Sequence, residues 1–169
     1  LMGLLDAPLL SRIRYELDRR YGEGEKLIYG EPWGAAGGAV RPGTALASKD
    51  QMKNLSPRIG AFCDNTRDAV KGNVMDAHSS GFVNGGFFSA DYLLHCVAGW
   101  SLGPYDPFLA PAQNITYLSC HDDWTLWDKL VYTLSPRKNF LARSPKIMRA
   151  NRLAAAINFF CQGSPFLLA

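Results

Sequence analysis

The feature that most constrains this chain is an alternation: four short apolar runs, Lys26–Gly30, Ile59–Cys63, Asn114–Cys120 and Ser164–Ala169, are separated by helical stretches rather than by tight hairpins. Strands joined through helices run parallel, since a parallel crossover needs a dozen or more residues. Asp6 caps the first helix, with Pro8 in its first turn and Leu9, Leu10, Ile13, Leu17 and Tyr21 recurring at helical spacing. Asp64 caps a second and Ser89 a third, whose buried face holds Leu93, Cys96, Val97 and Trp100. Ser144-Pro145 opens the last, which packs through Leu153, Ala154, Ala155, Ala156, Ile157 and Phe160 and stops at Gly163. The fold class is therefore α/β with a parallel sheet, and the pattern alone admits both a barrel and a doubly wound sheet.

One run delivers polar chemistry at its end. Asn114–Cys120 holds Ile115, Thr116, Tyr117 and Leu118, residues suited to a strand covered on both faces, and His121, Asp122 and Asp123 follow at its tip. In a parallel α/β barrel the C-terminal ends of the strands carry the chemistry. Trp124 and Trp127 come next, three residues apart on a helical turn, and so can line one wall. Glu31 stands in the same position after Lys26–Gly30, followed by Pro32 and Trp33. Carboxylates, an imidazole and indole faces suit a sugar, whose C–H face an aromatic ring can cover. A strand-terminal Asp also caps helices, and Trp127 also suits a core.

Lys and Arg number 18 against 15 acidic residues, a net charge of +3 spread without a basic stripe, so nucleic acid is not indicated as a partner. No apolar run approaches the ~20 residues that cross a bilayer, so no membrane partner is indicated either. Cys63, Cys96, Cys120 and Cys161 are far apart, lie among apolar neighbours and suit buried thiols better than a metal site or a disulfide frame. The Gly- and Ala-rich stretch 34–44 lacks the spacing of a phosphate loop and reads as the rim of a groove. We expect no cofactor, and no oxygen-rich run marks a metal site.

Several strings resemble the type I pullulanases, debranching enzymes of the α-amylase superfamily (glycoside hydrolase family thirteen). S-C-H-D-D-W-T-L-W-D-K-L at 119–130 is similar to the family's seventh-strand motif, where H-D-N precedes T-L-W-D-K-L. L-I-Y-G-E-P-W at 27–33 resembles the fifth-strand motif L-Y-G-E-G-W, with Pro32 in place of Gly. The segments at 64–72 and 81–85 resemble family stretches that follow the sixth strand, and Q-G-S-P-F-L-L-A at 162–169 resembles the approach to the eighth.

The resemblance implies a partial (β/α)8 TIM barrel, from just after the fourth strand to the eighth, with residues 1–169 forming one catalytic domain truncated at both ends. It implies a retaining glycosidase acting on α-1,6 branch linkages of pullulan, amylopectin, glycogen or limit dextrins, so the partner is an α-glucan. Glu31 corresponds to the general acid/base and Asp122 to the carboxylate that stabilises the transition state. His121, Trp33, Trp124 and Asp123 would bind substrate, and residues 64–72 would have a structural or rim role. The family nucleophile precedes L-M-G, and is expected immediately before Leu1. Without it the chain alone is expected to be inactive. Calcium elsewhere in a longer protein is compatible with the resemblance. Other readings are an isoamylase-like or α-1,4-acting relative and a non-catalytic glucan-binding module.

Overall fold

The computed structural model describes residues 1–34, 40–141 and 143–168. It is an α/β chain whose described strands, β1 (Ile28–Gly30), β2 (Ile59–Phe62), β3 (Asn114–Thr116) and β4 (Ser164–Pro165), follow one another in sheet order, and it divides into two compact units, residues 1–62 with 99–115 and residues 63–98 with 116–169.

In the first unit, α1 (Ala7–Tyr21) starts as the sequence suggests: Asp6 Oδ1 accepts from Leu9 N at 2.8 Å and Pro8 sits in the first turn. Its inward face differs from the expected apolar stripe. Leu10 and Arg14 are buried, whereas Leu9, Ile13 and Tyr21 are exposed. The Arg14 guanidinium explains this, because it donates to Lys26 O and to Asp18 Oδ1, both at 2.5 Å. The helix is thus fastened by a polar anchor as much as by a greasy one. Strand β1 (Ile28–Gly30) pairs in parallel with β2 (Ile59–Phe62), Ile28 opposite Ile59, and β2 pairs in parallel with β3 (Asn114–Thr116), Ala61 opposite Asn114. Gly60 keeps the two ladders close, since a Cβ there would meet Ile115 Cδ1 at 3.0 Å. Met52, Leu55, Ile59, Ala61 and Phe108 are buried in this unit, beside a buried Gln113 whose Nε2 donates to Met52 O at 2.8 Å.

The second unit is helical around the end of β3. Helix α2 (Asp64–Lys71) has Cys63, not Asp64, at its N-cap position, and Asp64 is its first helical residue. Cys63 makes no side-chain cap hydrogen bond, and the Asp64 carboxylate places negative charge near the positive pole of the helix. Helix α3 (Ala90–Val97) is capped by Ser89, whose side chain accepts from Tyr92 N, but Val97 is exposed and Trp100 lies outside the helix. Thr125 caps α4 (Leu126–Leu134). Ser144 caps α5 (Pro145–Phe160), with Pro145 at the first position. That helix ends at Cys161, two residues before Gly163, and Leu153 and Phe160 point outward.

Buried Leu130, Val131, Ile147 and Ala150 join α4 to α5, and Val70, Leu118 and Ala154 join α2, the end of the central run and α5. Two of the expected strands are shorter than their apolar runs. β3 ends at Thr116, although Tyr117 and Leu118 stay buried, and β4 is only Ser164–Pro165. β2 ends at Phe62, opposite Ile115, and beyond it Phe166 N donates to Thr116 O at 2.8 Å. Among the described residues, no helix is long and apolar enough to cross a membrane.

Candidate functional site

The sequence-predicted residues fall in both units, and each half is built differently. In the first, Glu31 follows β1 directly and is half-buried. Its backbone carbonyl accepts from Gly3 N at 2.9 Å, which lays the chain's first residues against the strand end. This approach requires glycine: a Cβ on Gly3 would fall 2.5 Å from Pro32 O. The Leu1 nitrogen lies 3.8 Å from Glu31 Oε2. A cavity of about 390 Å³ opens here, walled by Leu1, Met2, Tyr29, Phe62 and Glu31. Tyr29 and Phe62 meet edge to face, their centroids 5.8 Å apart. Pro32, the departure from the family string, is buried, and its carbonyl accepts from Lys49 N at 3.0 Å. Trp33 is half-buried beside it. Within the expected rim 34–44, residues 35–39 lie outside the described residues.

In the second unit the loop after Leu118 carries His121, Asp122 and Asp123, all exposed. His121 Nε2 stands 3.4 Å from Asp122 Oδ2, so imidazole and carboxylate are presented together. Ser119 Oγ accepts from Leu126 N at 2.7 Å and ties the start of the loop to α4. Cys120 Sγ reaches Asp122 O at 3.4 Å across the turn. Asp123 is left-handed, with φ 59°. Asn and Asp tolerate that backbone better than other non-glycine residues, which accounts for one replacing the other at this position.

The two tryptophans do not share a wall. The Trp124 ring lies against Tyr132, centroids 5.0 Å apart, while Trp127 packs on the α4–α5 core and donates from Nε1 to Phe140 O at 2.9 Å. Trp127 also lines a separate cavity of about 380 Å³ with Leu126, Asn158 and Phe166. Its role is structural at least in part, as the sequence allowed.

What the sequence reading missed is a set of buried cations behind this loop. Lys71 is 1% exposed, and its Nζ donates to Trp124 O. Burial, aided by the nearby Arg67 charge, pulls its ammonium from the ordinary 10.5 down to about 8. Arg67 donates from Nη1 to Tyr117 OH at 2.7 Å and from Nε to Asp68 Oδ1 at 2.7 Å. Burial opposes that charge, but these partners hold it above its usual range, while burial pushes the Tyr117 phenol up. Lys129 is fully buried and donates to Asn73 O at 2.8 Å and to Asp76 O. Its position gave a signal: Lys129 lies between Leu126 and Leu130 on the inward face of α4, where a lysine must find acceptors. Among the thiols, Cys63, Cys96 and Cys161 are buried as expected, and Cys120 is half-exposed.

No family model matches the chain. It is 38% identical over 146 residues to the pullulanase of Bacillus subtilis strain 168, a match covering 83% of this chain and 19% of that protein. The structure superposes on the pullulanase of Paenibacillus barengoltzii solved with maltohexaose and alpha-cyclodextrin, with a TM-score of 0.84, 35% identity, and coverage of 99% of this chain and 25% of that one. It superposes likewise on the type I pullulanase of Bacillus subtilis strain 168 complexed with maltose, with a TM-score of 0.82 and 30% identity, covering 99% of this chain and 22% of that one. The chain thus spans about a fifth to a quarter of the relatives it matches. Over most of its length, the chain is homologous to a segment of the pullulanases.

Proposed function

We propose that residues 1–169 form the second half of a (β/α)8 barrel, from just after its fourth strand to its eighth, and contribute to a retaining hydrolase of α-1,6 linkages in branched α-glucans. Glu31 acts as general acid/base, Asp122 stabilises the positively charged, oxocarbenium-like ring, and His121 binds the same sugar. Trp33 and Trp124 offer indole faces to neighbouring rings, and Asp123 shapes the turn that presents Asp122. The observation that carries this reading is at Glu31: a half-buried carboxylate directly follows a parallel strand and lines a cavity of about 390 Å³. Retaining enzymes hold two carboxyl groups only about 5 Å apart, and a carboxylate placed after a strand beside an open cavity suits the acid/base of such a pair. The pullulanases solved with maltohexaose and with maltose support an α-glucan as the partner.

The chemistry follows from the two carboxyl groups. Glu31 protonates the departing glycosidic oxygen while the nucleophile attacks the anomeric carbon. It then takes a proton from the water that releases the glycosyl-enzyme. Asp122 needs only its negative charge, held where positive charge develops.

The test uses residues 1–169 exchanged for the aligned segment of the Bacillus subtilis pullulanase. In this graft, Glu31→Gln and Asp122→Asn each lower kcat on pullulan by about a thousandfold. On α-maltosyl fluoride, whose leaving group needs little protonation, Glu31→Gln is expected to lose far less in forming the glycosyl-enzyme, whereas Asp122→Asn slows both substrates alike. Equal losses for Glu31→Gln on the two substrates, or near-normal release of maltotriose from pullulan by either variant, would contradict these roles.

A further inference from the structure

The loop 119–124 carries His121 and Asp122 but makes little regular structure of its own, and its turn depends on a left-handed Asp123. A non-glycine residue in that conformation persists only where its surroundings hold it there. The carbonyl of Trp124, next in the chain, is served by no strand or helix ladder, and a buried carbonyl without a donor is costly.

We infer that Arg67 and Lys71, one turn apart on α2, are positioning residues that grip the His121–Asp122 loop at its two ends and thereby set the aim of the imidazole and carboxylate. Arg67 holds the entry side through the Tyr117 hydroxyl at 2.7 Å, and Lys71 holds the exit side through the Trp124 carbonyl. The spacing is what one helix face provides: residues i and i+4 stand one above the other.

The grip has a fixed base. The Lys71 carbonyl accepts from Asn84 Nδ2 at 3.1 Å, and the same amide donates to Thr133 Oγ1 on α4 at 2.8 Å. Asn84 Oδ1 accepts in turn from Gly81 N at 2.7 Å. Gly72 ends α2 at φ 92°, pressed so closely on the 79–80 backbone that a Cβ would fall 2.2 Å from Ser79 O. The end of α2 therefore cannot shift without disturbing α4, and the lysine stem is stationary where it leaves the helix. A charge-assisted donor on a stationary stem fixes a carbonyl better than exchangeable water does. Asp68, Cys120 and Lys129 are the other titratable groups whose charges reach Lys71, and none of them supplies a carboxylate hydrogen bond to its ammonium. Its hydrogen-bond partner is the loop itself.

This inference rests on the proposed roles of His121 and Asp122, and its test separates the two. In the graft, Lys71→Met keeps the stem volume and removes the donor. Backbone hydrogen exchange in a peptide covering 118–126 is then expected to quicken at least tenfold while α5, 145–160, keeps its protection. kcat on pullulan falls roughly tenfold or more, with KM moving less than threefold. Tyr117→Phe deletes one hydroxyl from the other jaw and should quicken the same peptide about threefold. Should Lys71→Met not fold, Tyr117→Phe decides alone. Unchanged exchange at 118–126 in the folded variants overturns the clamp. So does equal quickening in α5, which would mark Lys71 as a general structural residue, or an unchanged kcat with a loosened loop. A wild-type graft inactive on pullulan would instead defeat the proposed function, and the exchange comparison would still decide the clamp.

Discussion

The two units fasten their loops by opposite means. In the first, Asp18 gathers two guanidinium groups, Arg14 at 2.5 Å and Arg58 at 2.7 Å, and Arg58 reaches Glu23 at 2.7 Å. In the second, Lys71 and Lys129 bury their ammonium groups against the carbonyls of Trp124, Asn73 and Asp76. The first arrangement pairs charge with charge, from the buried Arg14 out to Arg58 and Glu23, where screening leaves the outermost pair little net stabilisation. The second pairs charge with dipole in the interior, where each carbonyl loses its charged donor if the lysine goes. Cations in this fold thus serve two purposes. The arginines around Asp18 tie a helix to the adjoining loop, and the buried lysines hold loop backbone that belongs to no sheet or helix.

The comparison can be broken most visibly at Lys129. Lys129→Met in the graft removes the charged donor from Asn73 O and Asp76 O, which keep only the turn amides of Asp76 at 3.4 Å and Ser79 at 3.1 Å. Amides of the 73–79 segment should exchange roughly 100-fold faster, a local opening cost of about 3 kcal/mol. Exchange within threefold of wild type would show that water replaces the ammonium, and the buried-staple account of this unit would fail.

Asp18→Asn is the smaller effect. Arg58's hydrogen bond, opposed by burial and helped by Arg14, holds the Asp18 carboxyl below the usual 3.8. A carboxyl whose folded value is depressed stabilises the fold above its unfolded value, and that contribution disappears as pH falls through the folded value. Hence Asp18→Asn should quicken exchange at the end of α1 and in residues 22–26 only severalfold at pH 7. The difference from wild type should shrink as the pH is taken below 4. A gap that widens on acidification would mean that Asp18 acts through something other than its charge.

These effects bear on what could be read in the sequence. Three of the strands were visible because Ile28, Ile59, Ile115 and their neighbours form apolar runs bounded by turns, and the caps at Asp6, Ser89 and Ser144 follow from short side chains that accept a backbone N–H. Glu31 and the His121–Asp122 pair were visible by their place after strands. Helix faces were less legible. Periodicity put Ile13 and Val97 inward, yet both are exposed, because Arg14 takes the buried position on α1 and α3 buries little besides Cys96. The buried lysines were hidden for a related reason. A lysine in a string such as T-L-W-D-K-L looks like surface charge until the carbonyls that receive it are known, and those carbonyls lie 53 or more positions away in sequence. Cys63 replaced Asp64 at the N-cap position because the chain leaves β2 one residue earlier than the capping preference suggested.

The account stands on Glu31 being the acid/base of a retaining reaction whose nucleophile lies elsewhere, and azide rescue tests that directly. In the graft, Glu31→Ala given α-maltosyl fluoride should still form a glycosyl-enzyme but release it slowly, because no base activates water. Azide needs no base. It should restore turnover by attacking from the side water used, and the product should be α-maltosyl azide, with the configuration of the substrate retained. β-Maltosyl azide would mean that azide had taken the place of Glu31 in a direct displacement, making Glu31 the nucleophile. That product, or turnover indifferent to azide, would contradict the account.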